Sequence, residues 1–200
     1  MVLYSNLDLF NGRTPRITHV NYNIINSITH NYNYRLEYYY KLLAQEEGLR
    51  NILKSAPLCN KYRNILVDVK TEVIKKGDIP CGKKGWHLDG KKSRNTNTKR
   101  QSLYHILVIG GCSTEFLADP LLSKNYGIIN QNVFAKYNLD NNSNLSVYTL
   151  PLNCWNTYTE DDWHRGAVAQ EDTTRTFIRI VESNYIKPQG KKWKNLLMDT

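Results

Sequence analysis

The sequence predicts a mostly β domain with flanking helices, an antiparallel sandwich or barrel, and three observations carry that prediction. Beyond residue 60 the chain is a series of short runs rich in Val, Ile, Thr and Tyr, punctuated by Gly, Pro and Asn, with no helical stretch between them. Apolar residues recur at helical spacing only in residues 34–54. The 200 residues are 40% apolar and 22% charged, an ordinary globular balance for a single domain with a real core. The expected division is an N-terminal helical or irregular extension at 1–60, a β core at 61–185 and a basic tail at 186–200.

Taken in order, residues 1–33 are rich in Asn, Ile and Tyr without helical rhythm and read as short strands and loops. In 34–54, Leu36, Tyr39, Tyr40, Leu43, Leu49, Ile52 and Leu53 predict one helix, broken at Gly48 and stopped before Pro57. Strands are expected at Asn64–Ile74, at Ser102–Ile109 (ending on Gly110-Gly111), at 145–152, at 155–159 and at 175–182. The segment Thr114-Glu115-Phe116 reads as a loop or as a border of the pocket.

Several classes are excluded at this level. No stretch approaches the roughly 20 apolar residues of a membrane helix, and the first residues lack the basic-then-apolar pattern of a secretory signal. The expectation is therefore a soluble, intracellular protein. Cys59, Cys81, Cys112 and Cys154 form no CxxC pair, which argues for free thiols rather than a zinc ribbon or a redox dithiol. Charge is concentrated: residues 75–101 hold nine Lys and Arg against Asp78 and Asp89, a net +7 of the chain's +9. Such a local field favours an anionic partner by steering and phosphate contacts; the alternative is a solvated basic loop.

Chemistry enters at Gly85-Trp86-His87-Leu88-Asp89-Gly90. In an extended chain, residues i and i+2 face the same way, so His87 and Asp89 aim an imidazole and a carboxylate at one point. A second histidine completing one face of an octahedral ion would give the two-His, one-carboxylate triad of non-haem iron sites. Among the five histidines, His164 in Asp162-Trp163-His164-Arg165 follows a predicted strand, and Arg175 comes eleven residues later. His19 and His30 lie in the unassigned N-terminal region and read as non-ligands.

The order His87-x-Asp89, His164, Arg175 resembles the 2-oxoglutarate/Fe(II)-dependent dioxygenase superfamily. Within it, the pattern is most similar to the phytanoyl-CoA-hydroxylase-like branch and to small phage or viral members. The resemblance covers residues 64–183. It implies a double-stranded β-helix (a cupin-like jelly roll), with His87 and Asp89 after the second core strand, His164 on the seventh and Arg175 on the eighth. It also implies that Fe(II) is held by His87, Asp89 and His164. Arg175 would pair with the distal carboxylate of 2-oxoglutarate, and O2 would be consumed with release of succinate and CO2.

Some positions stay open. Arg179 shares a strand face with Arg175, and either residue could hold the cosubstrate. Phe177 stands where many members carry a serine, so a second polar partner must come from another strand, with Tyr104 and His105 as candidates; for His105 the other reading is a structural histidine. Trp86 and Trp163 are expected to wall the pocket. Lys91, Lys92, Arg94, Lys99 and Arg100 follow the metal motif and, with Trp86, are the candidate substrate residues. They suggest an anionic substrate, a nucleobase in nucleic acid or a nucleotide first, with a small metabolite or a protein side chain as alternatives. Nothing in the sequence decides the oligomeric state. A jelly-roll binding module holding Ni2+, Co2+ or Zn2+ is the non-enzymatic alternative.

Overall fold

The computed structural model describes residues 16–28, 32–80, 85–89, 102–118, 139, 144–160 and 162–186. Its strands are β1 (Arg16–His19), β2 (Asn33–Tyr38), β3 (Asn64–Ile74), β4 (Ser102–Ile109), β5 (Thr114–Leu117), β6 (Val147–Thr149), β7 (Cys154–Thr159), β8 (His164–Gly166) and β9 (Thr173–Ser183). Its helices are α1 (Tyr22–Ile25), α2 (Tyr39–Leu42) and α3 (Glu47–Lys54). No helix among the described residues is long and apolar enough to cross a membrane.

The strands form a six-stranded sheet ordered β1-β7-β4-β9-β3-β2 and a three-stranded sheet ordered β6-β5-β8. The short segment 85–89 joins the second sheet beside β8 through a bridge between His87 and His164. Among the described residues, from β3 onward this makes eight core segments, and their pairing is nested. The first pairs antiparallel with the last (β3 with β9), the second with the seventh (His87 with β8), the third with the sixth (β4 with β7) and the fourth with the fifth (β5 with β6). Nested pairing of this kind is the double-stranded β-helix, the jelly roll.

Alternation along the strands sorts the core into two layers. Tyr104, Ile106, Val108, Tyr158, Phe177 and Val181 of the large sheet meet Phe116 of the small one, filling the space between the sheets. On the outer face of the large sheet, Val67, Val69, Leu107, Trp155, Ile178 and Ile180 pack against Leu49, Ile52 and Leu53 of α3. That helix starts where the Glu46 carboxylate caps the Leu49 N–H at 3.2 Å.

The N-terminal segment departs from the expected single helix. Residues 33–38 are a strand that pairs with β3, and the helical break falls before Glu46 rather than at Gly48. Tertiary pairing with an available sheet edge overrides the helical spacing, in a stretch whose aromatic residues also suit a strand. Gly48 lies inside α3, where an added Cβ would stand 2.3 Å from the Ser27 carbonyl oxygen. β1 and β2 thus extend the large sheet at its two ends.

A polar cluster is buried on the helix-facing side. Glu182 accepts from the backbone N–H of Cys59 (2.9 Å) and of Asn60 (2.8 Å), and it bonds His105 Nε2 at 2.8 Å. The other His105 nitrogen meets Thr157 Oγ1 at 2.9 Å. Burial raises the Glu182 carboxyl, but hydrogen bonds from His105 and from the Cys59 and Asn60 amides outweigh it and leave the group below its ordinary 4.5. A depressed carboxylate stabilises the fold above its unfolded value and loses that contribution as pH falls through the folded one. Glu182→Gln should therefore lower stability by about 1–3 kcal/mol at neutral pH. The deficit should shrink as pH falls below the ordinary carboxyl value of 4.5; urea midpoints at neutral pH and along an acid series check this, and an undiminished deficit would contradict it.

Candidate metal centre

Backbone pairing builds the centre. The His87 N–H donates to the His164 carbonyl at 2.9 Å, and the His164 N–H donates to the His87 carbonyl at 3.0 Å. Directly opposed residues of an antiparallel pair project to the same face, and the two imidazole centroids lie 4.4 Å apart. Asp89, two residues beyond His87, returns to that face. One ligand atom from each of His87, Asp89 and His164 lies within 4.8 Å of the others.

The hydrogen bonds define which nitrogen of each ring can ligate. His87 Nδ1 lies 2.9 Å from the Gly85 carbonyl and His164 Nδ1 lies 3.0 Å from the Asp162 carbonyl. A carbonyl only accepts, so each Nδ1 carries hydrogen, and Nε2 is the nitrogen left to offer its lone pair. Two imidazole lone pairs and a carboxylate converge, with His164 Nε2 at 3.4 Å from Asp89 Oδ2. Two imidazoles with one carboxylate, converging on one point, suit a first-row divalent metal. The residues therefore fit a bound metal ion.

Packing fixes the ligands. Phe116 stacks on His164 at 5.2 Å, and Tyr158 meets the same ring edge-on at 5.2 Å. Asp89 Oδ2 accepts from the Tyr158 hydroxyl and from Arg179 Nη1, each at 2.7 Å. Burial pushes the Asp89 carboxyl up, but the Arg179 charge, then His164, hold it well below the usual carboxylate range. Burial and then the Asp89 charge push the Tyr158 phenol well up, so it remains a donor.

The other expected residues separate by face. Arg175, Phe177 and Arg179 share the inner face of β9. Arg179 is paired with both Asp68 and Asp89. Arg175 is fully buried, with Nη1 at 3.3 Å from Glu72 Oε1 and Nη2 at 3.5 Å from Thr114 Oγ1. Tyr104 also faces inward, stacked on Tyr158 at 5.1 Å. Its buried hydroxyl makes no hydrogen bond among the described residues, while the neighbouring Ser102 hydroxyl is engaged with Ser183 at 2.9 Å. A buried hydroxyl left over beside the triad is one that a bound group can satisfy.

Two expectations are corrected. His105 points to the opposite face of β4, because parity puts Tyr104 inside and His105 out, where Glu182 and Thr157 hold it. Trp86 also turns away from the triad; it packs with Leu88, Leu139 and Trp163 in a separate cluster, with the Arg165 guanidinium 4.6 Å over its ring. Trp86, Leu88 and Trp163 anchor the backbone on either side of the histidines instead of walling the pocket. His19 lies on edge strand β1, where it meets Cys154 Sγ at 3.2 Å. Lys91, Lys92, Arg94, Lys99 and Arg100, with His30, fall outside the described residues.

Tyr158 and Asp68 are site residues not singled out from sequence, whereas Thr114 belongs to the segment read as a loop or a border of the pocket and lies on β5. Tyr158 depends on pairing across the two sheets, which no local pattern reveals. Asp68 did leave a signal, a charged residue inside the apolar run Ile65-Leu66-Val67-Asp68-Val69; it is fully buried.

No protein-family model and no curated protein matches the chain. Two solved structures of EvdO2 from Micromonospora carbonacea var. aurantiaca are similar to it. The one complexed with 2-oxoglutarate is 11% identical, with a TM-score of 0.47 over 76% of this chain and 69% of that one. The other is 12% identical, with a TM-score of 0.46 over the same shares.

If the triad holds a metal, His164→Ala should weaken Ni(II) binding by more than the roughly 10–100-fold typical of losing an outer partner. His19→Ala should leave it unchanged. Equilibrium titration of the two variants checks this, and equal affinities would contradict the assignment.

Proposed function

We propose that the chain is a non-haem Fe(II) oxygenase that uses 2-oxoglutarate and O2 to hydroxylate its substrate. The observation that carries this reading is the convergence of His87, Asp89 and His164, each imidazole held through Nδ1 by a backbone carbonyl, on the inner face that also carries a buried arginine. Iron with 2-oxoglutarate supplies oxidation of a C–H bond by O2, with succinate and CO2 as the other products. This chain's residues would do the rest. His87, Asp89 and His164 hold the metal on one side and leave the opposite side open. Phe116, Tyr158 and Tyr104 line the interior and exclude water.

Arg175 is the better receptor for the distal carboxylate of 2-oxoglutarate. Arg179 is already bonded to two carboxylates, so a third would have to displace Asp68 or Asp89. Arg175 lies 3.3 Å from Glu72 and 3.5 Å from Thr114, longer than the Arg179 contacts, and Glu72 is also held by Lys70. The Thr114 hydroxyl, on the opposite sheet, stands in for the serine that Phe177 replaces. Tyr104 is the inner-face hydroxyl left for the cosubstrate or the substrate.

The substrate reading rests on charge. The net +7 of residues 75–101 surrounds the metal motif in sequence, which favours an anionic substrate, a nucleobase in nucleic acid or a nucleotide first. If nucleic acid is bound, affinity should fall steeply with salt, and salt-independent binding would remove that substrate class.

Activity is tested by loading the protein with Fe(II) without oxygen, then adding 2-oxoglutarate and air and measuring succinate. Wild type should release succinate, and His87→Ala and Asp89→Ala should release none. Arg175→Ala should keep its metal and raise the KM for 2-oxoglutarate about 10–100-fold, the loss of one charge-assisted pair. No succinate from wild type contradicts the enzyme reading; a KM effect confined to Arg179→Ala reverses the arginine roles.

A further inference from the structure

Strand β2 is linked to the candidate metal centre through its backbone, by way of Asp68 and Arg179. Its pairing with β3 slips between Tyr34 and Glu37. At the slip, Leu36 adopts φ +45°, the left-handed region that side chains other than glycine rarely enter. A bulky residue held there calls for a reason in its surroundings. The Leu36 N–H donates to Asp68 Oδ1 at 2.8 Å, and its side chain packs on the inner cluster that contains Tyr104, Tyr158 and Phe177. The other Asp68 oxygen accepts from Arg179 Nε at 2.9 Å and Nη2 at 2.6 Å, and Arg179 Nη1 reaches Asp89. A continuous run of hydrogen bonds thus joins Leu36 to Asp68, Arg179 and Asp89.

We propose that Asp68 is a positioning residue for the metal ligand Asp89, and that through it the β2 bulge at Leu36 is coupled to metal binding. The inference rests on the reading of His87, Asp89 and His164 as metal ligands. One guanidinium lies between two carboxylates, so the trio keeps one net negative charge for a cation. Without the Asp68 charge, Arg179 would neutralise Asp89 and compete with the metal for it. Asp68 also fixes the guanidinium through two of its nitrogens, leaving the third to orient Asp89. Coupling of this kind is reciprocal: a metal that orders Asp89 also steadies the bulge.

The test uses the full chain and Asp68→Asn, which preserves shape and an acceptor for the Leu36 N–H while removing the charge. Co(II) is titrated into both proteins and followed by its visible spectrum, with urea unfolding to establish that the variant is folded. The expected result is an affinity about 10-fold or more weaker, with an altered Co(II) spectrum. A folded variant with wild-type affinity and spectrum overturns the proposal and makes the Asp68–Arg179 pair structural only. Should the variant not fold, amide exchange at Leu36 in wild type decides: Zn(II) should slow it, and unchanged exchange overturns the coupling. Absence of Co(II) binding by wild type would instead contradict the metal reading itself.

Discussion

Two backbone hydrogen bonds between His87 and His164 hold together everything that follows. They join the second core segment to the seventh, far apart in the chain, and place both imidazoles on one side of a small sheet. Because the pairing is antiparallel and direct, neither ring needs an unusual conformation to face the other. Asp89 then arrives by the two-residue period of an extended chain. Each imidazole is locked by a bond from Nδ1 to a carbonyl two residues upstream, so backbone geometry sets both the ligand positions and the tautomers.

Charge on the inner face of β3 and β9 supports this arrangement. Register places Asp68 opposite Arg179 and Glu72 opposite Arg175, with Phe177 between the arginines. Burying such groups is costly unless each is paired and hydrogen-bonded, and here the pairing divides the work. Arg179 is committed to carboxylates of the chain itself, one of them Asp89, the proposed metal ligand. Arg175, at 3.3 Å from Glu72 and 3.5 Å from Thr114, is the residue proposed to receive the cosubstrate. The outer face carries a separate polar set around Glu182 and His105, which ties the loop before β3 to the sheet and takes no part at the metal.

Much of this was legible in the sequence. Asn64–Ile74 and Ser102–Ile109 have the bounds their Val- and Ile-rich runs indicate, and β9 exceeds its expected range by three residues. The nested pairing could be expected only through the family resemblance. β5 and β8, at four and three residues, are too short to show a period. β2 was misread because Leu36, Tyr39, Tyr40 and Leu43 also fit a helical stripe, and only the open edge of β3 decides between the two. Which of Tyr104 and His105 faces inward turns on one step of parity, which an apolar run such as Ser102–Ile109 does not reveal. Asp68 could have been noticed as a charge within a core strand, whereas Tyr158 becomes meaningful only once the two sheets face each other.

The central claim is that the triad leaves room on its metal for 2-oxoglutarate, with Arg175 receiving the far end. Calorimetric titration of 2-oxoglutarate into the Mn(II)-loaded protein and into the metal-stripped protein, both without oxygen, tests it most directly. The account predicts saturable binding of one equivalent per chain that requires the metal. Equal binding with and without Mn(II), or no binding to the loaded protein, would contradict it.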